Sequence, residues 1–134
     1  MTIRLPLFQK VDCLSLPVAD LDAALDFYAR DLGHELIWRT STMAGLKLPG
    51  SNAELVLHTD KRGTETDLAV ESVPAAIERF TAAGGTVLKG PFEIQIGLCA
   101  VVSDPWGNVL VILDASKGTL QVDEQQRVIE KPAL

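Results

Sequence analysis

"TDLAVESVPAAI", residues 66–77, repeats the pattern of "LSLPVADLDAAL", residues 14–25, at a distance of 52 positions. The offset lays Leu68 on Leu16, Val70 on Val18, Ser72 on Asp20, and Ala75-Ala76-Ile77 on Ala23-Ala24-Leu25, and it carries Gly85 onto Gly33. A repeat at fixed distance means one structural unit used twice, so it fixes which positions are equivalent. Each copy opens on a strand-like stretch. In the first, Leu14, Leu16 and Val18 alternate with Cys13 and Ser15, the period of a half-buried strand. A helix-capping residue follows, Asp20 or Ser72. Apolar residues then recur at helical spacing: Leu21, Ala24, Leu25, Tyr28 and Leu32 in one copy, Val73, Ala76, Ile77 and Phe80 in the other. Gly33 and the "AGG" of residues 83–85 suit helix C-caps.

Three further strand-like runs follow each helix. They are "ELIWRT" (35–40), "AGLKL" (44–48) and "AELVLHT" (53–59), then "GTVLKG" (85–90), "CAVVSD" (99–104) and "NVLVILD" (108–114). Turn chemistry in "PGSN", "DKRGTE" and "DPWGN" separates them. The chain therefore reads as α+β: two tandem βαβββ modules, about 8–60 and 64–114, in a single domain over 1–114. Residues 115–134 turn polar and charged, and read as an extension lying on the surface or on a partner subunit.

With 134 residues, 47% of them hydrophobic, the chain has enough material for one core. A net charge of −6 disfavours nucleic acid and anionic membranes, which need a basic surface, and leaves small molecules or proteins as partners. No apolar run reaches the roughly 18 residues of a membrane span. The N-terminal "MTIRLPLFQKVD" lacks the features of a signal peptide, so a cytoplasmic location is expected. Cys13 and Cys99 are then expected as free thiols.

The repeated module, the paired helix starts and above all the closing "DPWGN" turn resemble the glyoxalase, bleomycin-resistance and extradiol-dioxygenase family, the vicinal oxygen chelate superfamily. The likeness covers about residues 8–114. It implies a curved, incomplete β-barrel with helices outside, a ligand on the concave side, and a homodimer. It also implies metal-ligand positions in the first and last strands of each module. Carried over by position, these fall on Cys13, on Glu65, on Val111 three residues after Asn108, and on Glu54 or Val56, whose register the sequence leaves open. Val111 cannot ligate, and Cys13 is a poor substitute among hard oxygen donors. No cofactor is therefore expected, with a divalent metal on Glu65 and His58 or Glu54 as the alternative. Standard glyoxalase I and extradiol-dioxygenase activities are disfavoured.

Period-two geometry gives a compatible picture: Cys13 and Ser15, Glu65 and Asp67, and Glu54, Val56 and His58 turn away from the helix-covered faces. That face would be unusually acidic for a closed pocket. Each residue also has a plain structural reading. Cys13 reads as core before nucleophile, His58 as a solvated strand end or a general base, and Glu54 and Glu65 as rim charges or cavity groups. Trp38 either lines a ligand surface or fills the core. His34 reads as surface, and Trp106 as partly exposed packing in its turn. The expected ligand-lining set is Cys13, Ser15, Trp38, Val56, Asp67 and Val111. Two function classes stay open. One is a lyase or isomerase acting on a small organic molecule through Glu65, His58 or Glu54. The other is a sequestering protein of the bleomycin-resistance kind.

Overall fold

Asp20 caps the first helix as its sequence position predicts: its carboxylate accepts the Ala23 N–H at 3.0 Å. The computed structural model describes residues 5–129. Strand β1 (Lys10–Pro17) leads into α1 (Leu21–Leu25), which continues as a π-helical segment over Asp26–Asp31. The Leu32 N–H reaches back five residues to the Phe27 carbonyl at 3.0 Å, and Gly33 ends the helix at φ +84°. Strands β2 (Leu36–Arg39), β3 (Met43–Lys47) and β4 (Glu54–His58) follow. The second copy has β5 (Glu65–Ala69), α2 (Val73–Ala82), β6 (Thr86–Ile94), β7 (Gly97–Ser103) and β8 (Val109–Leu113). Ser72 caps α2 through the Ala75 N–H at 3.3 Å.

The strand orders bear out the repeat. In the first module β2, β3, β4 and β1 are neighbours in that order, with β1 and β4 parallel. In the second, β6, β7, β8 and β5 repeat the order, with β5 and β8 parallel. The helix of each module covers one sheet face. Leu21, Ala44, Leu46, Leu55 and Leu57 form the first core, joined by Leu16, Val18 and Tyr28. Val70, Val73, Ala76, Ala100, Val102 and Ile112 form the second, joined by Leu68, Ile77 and Phe80. Leu14 departs from the expectation and is exposed.

The described chain forms two units interleaved in sequence. One takes residues 12–66 and the segment from Leu120 on; the other takes the segment up to Val11 and residues 67–119. The extension thus has a definite place: β9 (Gln121–Val122) and β10 (Val128–Ile129) form a small hairpin beside β2. The Arg39 N–H donates to the Gln126 carbonyl at 2.7 Å, and Arg39 bridges Arg127 in parallel. In the other unit, Gln9 N–H donates to the Ala69 carbonyl at 2.9 Å and Phe8 packs on Phe80. Among the described residues no helix is long and apolar enough to cross a membrane.

Two carboxylates lock the second module. Asp114, 2% exposed, accepts the Val73 N–H at 2.8 Å, the Leu98 N–H at 2.9 Å and the Ser116 hydroxyl at 2.7 Å. Burial opposes its ionisation, but these donors outweigh burial and hold its carboxyl below the ordinary value. A Cβ on Gly97 would overlap this carboxylate, which is why glycine opens β7. Asp104 organises "DPWGN": it accepts the Trp106 and Asn108 backbone N–H groups at 2.9 Å each and the Asn108 side-chain amide at 2.8 Å. The Asn108 side chain, its backbone N–H and the other turn donors together lower the Asp104 carboxyl against the opposing effect of desolvation. Trp106 is 84% exposed, more open than the sequence suggests.

Candidate functional site

The first module's sheet face opposite its helix gathers most of the predicted residues. Register places Cys13 beside Glu54, Ser15 beside Val56 and Pro17 beside His58. Across β3, Lys47 faces Glu54, Gly45 faces Val56 and Met43 faces His58, while Trp38 on β2 pairs with Gly45. Alternation puts these side chains on one face. Cys13, Ser15 and Val56 are buried there, at 6%, 2% and 4% exposure. Cys13 and Cys99 are both buried and outside any disulfide.

His58 corrects the solvated reading: it is wholly buried. The strand does not fray at its end, because His58 pairs with both Pro17 and Met43 and its carbonyl accepts the Val18 N–H at 2.8 Å. Exposure begins only at Thr59. Neither ring nitrogen has a hydrogen-bond partner among the described residues. His34 is half-buried, with Nδ1 at 3.1 Å from the Lys47 carbonyl.

Trp38 is half-buried on this face. Its indole N–H donates to Glu54 Oε1 at 2.7 Å, and the ring lies over Gly45, where any Cβ would overlap it. Glu54 is thereby oriented by a neighbour on the same face. The one available sequence signal was the glycine inside "AGLKL", since a strand glycine often marks close approach. Glu65 is half-buried and meets Arg62 Nη1 at 3.3 Å through both carboxylate oxygens.

On the second module's corresponding face, Asp67 pairs with Val111, which also pairs with Val101. Cys99, Val111 and Leu113 form an apolar cluster with Phe92, Ile94, Ile96 and Val101. In register with that cluster stand Asp67 and, through Val101, Lys89, so the row carries charge of both signs. A shallow depression of about 330 Å³ lies at the Glu54 end of the first module's sheet, walled by Lys47, Asn52, Glu54 and Gln126 among others.

The register also resolves the ambiguity in "AELVLH". Val56 stands opposite Ser15 as Val111 stands opposite Asp67, and Ser15 and Asp67 are repeat equivalents. The four positions for the metal that the resemblance implies therefore hold Cys13, Val56, Glu65 and Val111. Two of these offer no donor atom and a third is a soft thiol, so the set does not fit that metal. Among the described residues no three His, Cys, Asp or Glu side chains group to hold an ion.

Comparison with known proteins agrees with this architecture. The sequence model of the Glyoxalase/Bleomycin resistance protein/Dioxygenase superfamily matches residues 10–112. No curated protein matches the chain in sequence. Among solved structures, methylmalonyl-CoA epimerase from Mycobacterium tuberculosis is similar at TM-score 0.68 and 21% identity, over 86% of this chain and 93% of that one. The Mn(II)-bound glyoxalase from Novosphingobium aromaticivorans gives 0.62 and 20%, over 97% of this chain and 43% of that one. Homoprotocatechuate 2,3-dioxygenase from Brevibacterium fuscum gives 0.62 and 19%, over 93% and 39%. At these identities the likeness is one of fold.

Proposed function

The chain belongs to the glyoxalase/bleomycin resistance/dioxygenase superfamily, and from that premise we propose that it binds a small oxygenated organic molecule without the metal its relatives use, with His58 as the group that meets the ligand's polar atom. The observation that carries this reading is the wholly buried imidazole whose two nitrogens have no partner among the described residues. A buried polar group left unpaired costs about 1–3 kcal/mol, a cost that binding a ligand oxygen recovers. Ser15 and Val56 on the same face supply a hydroxyl and an apolar surface beside it. Of the three acid–base candidates, Glu54 is engaged by Trp38 and Glu65 by Arg62. His58 is then the proton-transfer group of a lyase or isomerase: an imidazole takes the proton from one carbon or oxygen and the imidazolium so formed returns it to another.

The two engaged carboxylates and the apolar Val111 cluster favour a second reading, sequestration without chemistry. One experiment separates the two. Small oxygenated aromatics, 2-oxo acids and 2-hydroxy acids are screened by thermal shift against the wild type and His58→Gln, and stabilising compounds are then incubated in D2O and followed by NMR. Deuterium entering an acidic C–H position with the wild type alone supports proton transfer by His58. Binding without exchange supports sequestration. Equal shifts for both proteins overturn the assignment of His58, and shifts that need added Mn, Ni or Zn overturn metal independence. A homodimer belongs to the same reading by family resemblance, and light scattering during size exclusion tests it.

A further inference from the structure

Each half of the chain carries a segment that folds with the other half. Leu7 and Phe8 precede β1 in sequence, yet they pack on the core built by Val70, Val73 and Ala76 of the second module, and the Phe8 ring centroid lies 6.4 Å from that of Phe80. The backbone is tied down as well, by the Gln9 N–H to the Ala69 carbonyl at 2.9 Å. The repeat offers no counterpart to this arm: 52 positions after Leu7 and Phe8 stand Thr59 and Asp60, both exposed.

The C-terminal hairpin runs the opposite way. It follows the second module in sequence and folds with the first, where the Arg39 N–H donates to the Gln126 carbonyl at 2.7 Å and Arg39 bridges Arg127. Its turn is built for this approach. The Asp123 side chain accepts the Gln125 and Arg127 N–H groups at 2.8 and 3.0 Å, and the Asp123 carbonyl accepts the Gln126 N–H at 3.0 Å. These bonds hold Gln126 in the left-handed region, at φ +64°, where residues other than glycine are seldom found.

The link between the halves is of another kind. Residues 59–64, "TDKRGT", join β4 to β5, lie outside helix and strand, and are all exposed. Arg62 pairs there with Asp60 and Glu65, close to it in sequence. A break after Lys61 leaves one piece with Leu7, Phe8 and Gln9 in the second module's unit and β2, β3 and β4 in the other unit. The second piece keeps β6, β7 and β8 in the first of these and the hairpin in the other. Each unit is then a composite of both pieces, and parting them requires Phe8 to leave its core and the hairpin to leave Arg39 together.

We infer that these arms form a reciprocal clasp, and that the link over 59–64 is a processing site whose cleavage by a protease of trypsin-like preference leaves one folded molecule, a non-covalent pair of halves. Water adds across the Lys61–Arg62 peptide bond, leaving a carboxylate on Lys61 and an ammonium on Arg62. Both new charges arise on exposed residues, where neither is buried.

The test inserts the recognition sequence of a site-specific protease between Arg62 and Gly63 of the full chain, since exposed loops accept added residues, and cuts the folded protein to completion. On size exclusion the cut protein is expected as one peak at the position of the uncut chain, with both pieces in it. Its melting temperature should fall by about 5 °C for each ten-fold dilution, because melting now releases two molecules, while that of the uncut chain stays constant. Phe8→Ala empties one arm, and Gln126→Val opens the other by placing a β-branched residue in the left-handed region. Each is expected to raise the dissociation constant of the cut pair at least about ten-fold, and the two together to separate the pieces. Separation or precipitation of the cut wild-type pieces overturns the inference. So does a cut pair whose dissociation neither variant changes, since contacts other than the clasp then hold it.

Discussion

The Asp114 carboxylate lies 2.8 Å from the Val73 N–H, 41 residues away in sequence, and joins the end of the last module strand to the first turn of α2. Asp114→Asn keeps the shape but turns an amide N–H toward backbone donors. Loss of about 2–4 kcal/mol in urea unfolding is expected. The pH dependence has a definite sign. Folding holds the Asp114 pKa below its unfolded value, so its contribution is complete well above the unfolded pKa of about 3.9 and vanishes as pH falls through the depressed folded value. The difference in melting temperature between wild type and Asp114→Asn should therefore be constant from pH 7 to about 5 and shrink below about pH 4. A constant gap down to pH 3 would count against the carboxylate as the source.

Gly45→Ala should expel the Trp38 indole from its seat on β3 and break its bond to Glu54. Overpacking of this kind costs about 1–3 kcal/mol. In a Trp106→Phe background, Trp38 emission should shift to the red. Unchanged emission and stability would mean that the sheet accommodates the methyl group and that the Trp38 contact is loose.

His58→Met should act in opposite directions on stability and binding. An apolar side chain of similar size in a wholly buried place removes an unpaired polar group, so unfolding free energy should rise by about 1 kcal/mol. Thermal shifts from ligands should disappear in the same protein. A fall in stability would instead give His58 a structural role.

Asn108→Ala removes the largest influence that lowers Asp104. The Asp104 carboxyl should titrate at higher pH, by NMR, in the variant than in the wild type. An unchanged titration would show that the backbone donors of Trp106, Asn108 and Gly107 suffice.

The fold was legible because its signals were local and occurred twice. Asp20 and Ser72 act as caps, Gly33 and Gly84 end their helices at positive φ, and the strand orders repeat. Facing was legible as well, since alternation sent Leu55 and Leu57 to the core and Val56 to the other side. What escaped depended on partners distant in sequence. Nothing near Asp114 announces Val73 or Leu98, and nothing near Trp38 announces Glu54, 16 residues on. The solvated reading of His58 fails because a strand end beside "TDKRG" looks wet, whereas pairing to both Pro17 and Met43 decides its burial. The polar composition of the extension signalled a surface element but could not reveal that Gln126 returns to β2.

The interleaving of the two units bears on synthesis. The unit holding β2, β3 and β4 also takes in the segment from Leu120 on. A chain emerging from the ribosome therefore makes the first module's strands early but receives the hairpin beside Arg39 only after the second module has been made. Until then the Arg39 end of β2 lacks its hairpin neighbour, and bare strand edges invite pairing with other chains. Stalling or premature termination after the second module should thus release a species whose weakness is stickiness, with its helices and sheets already in place.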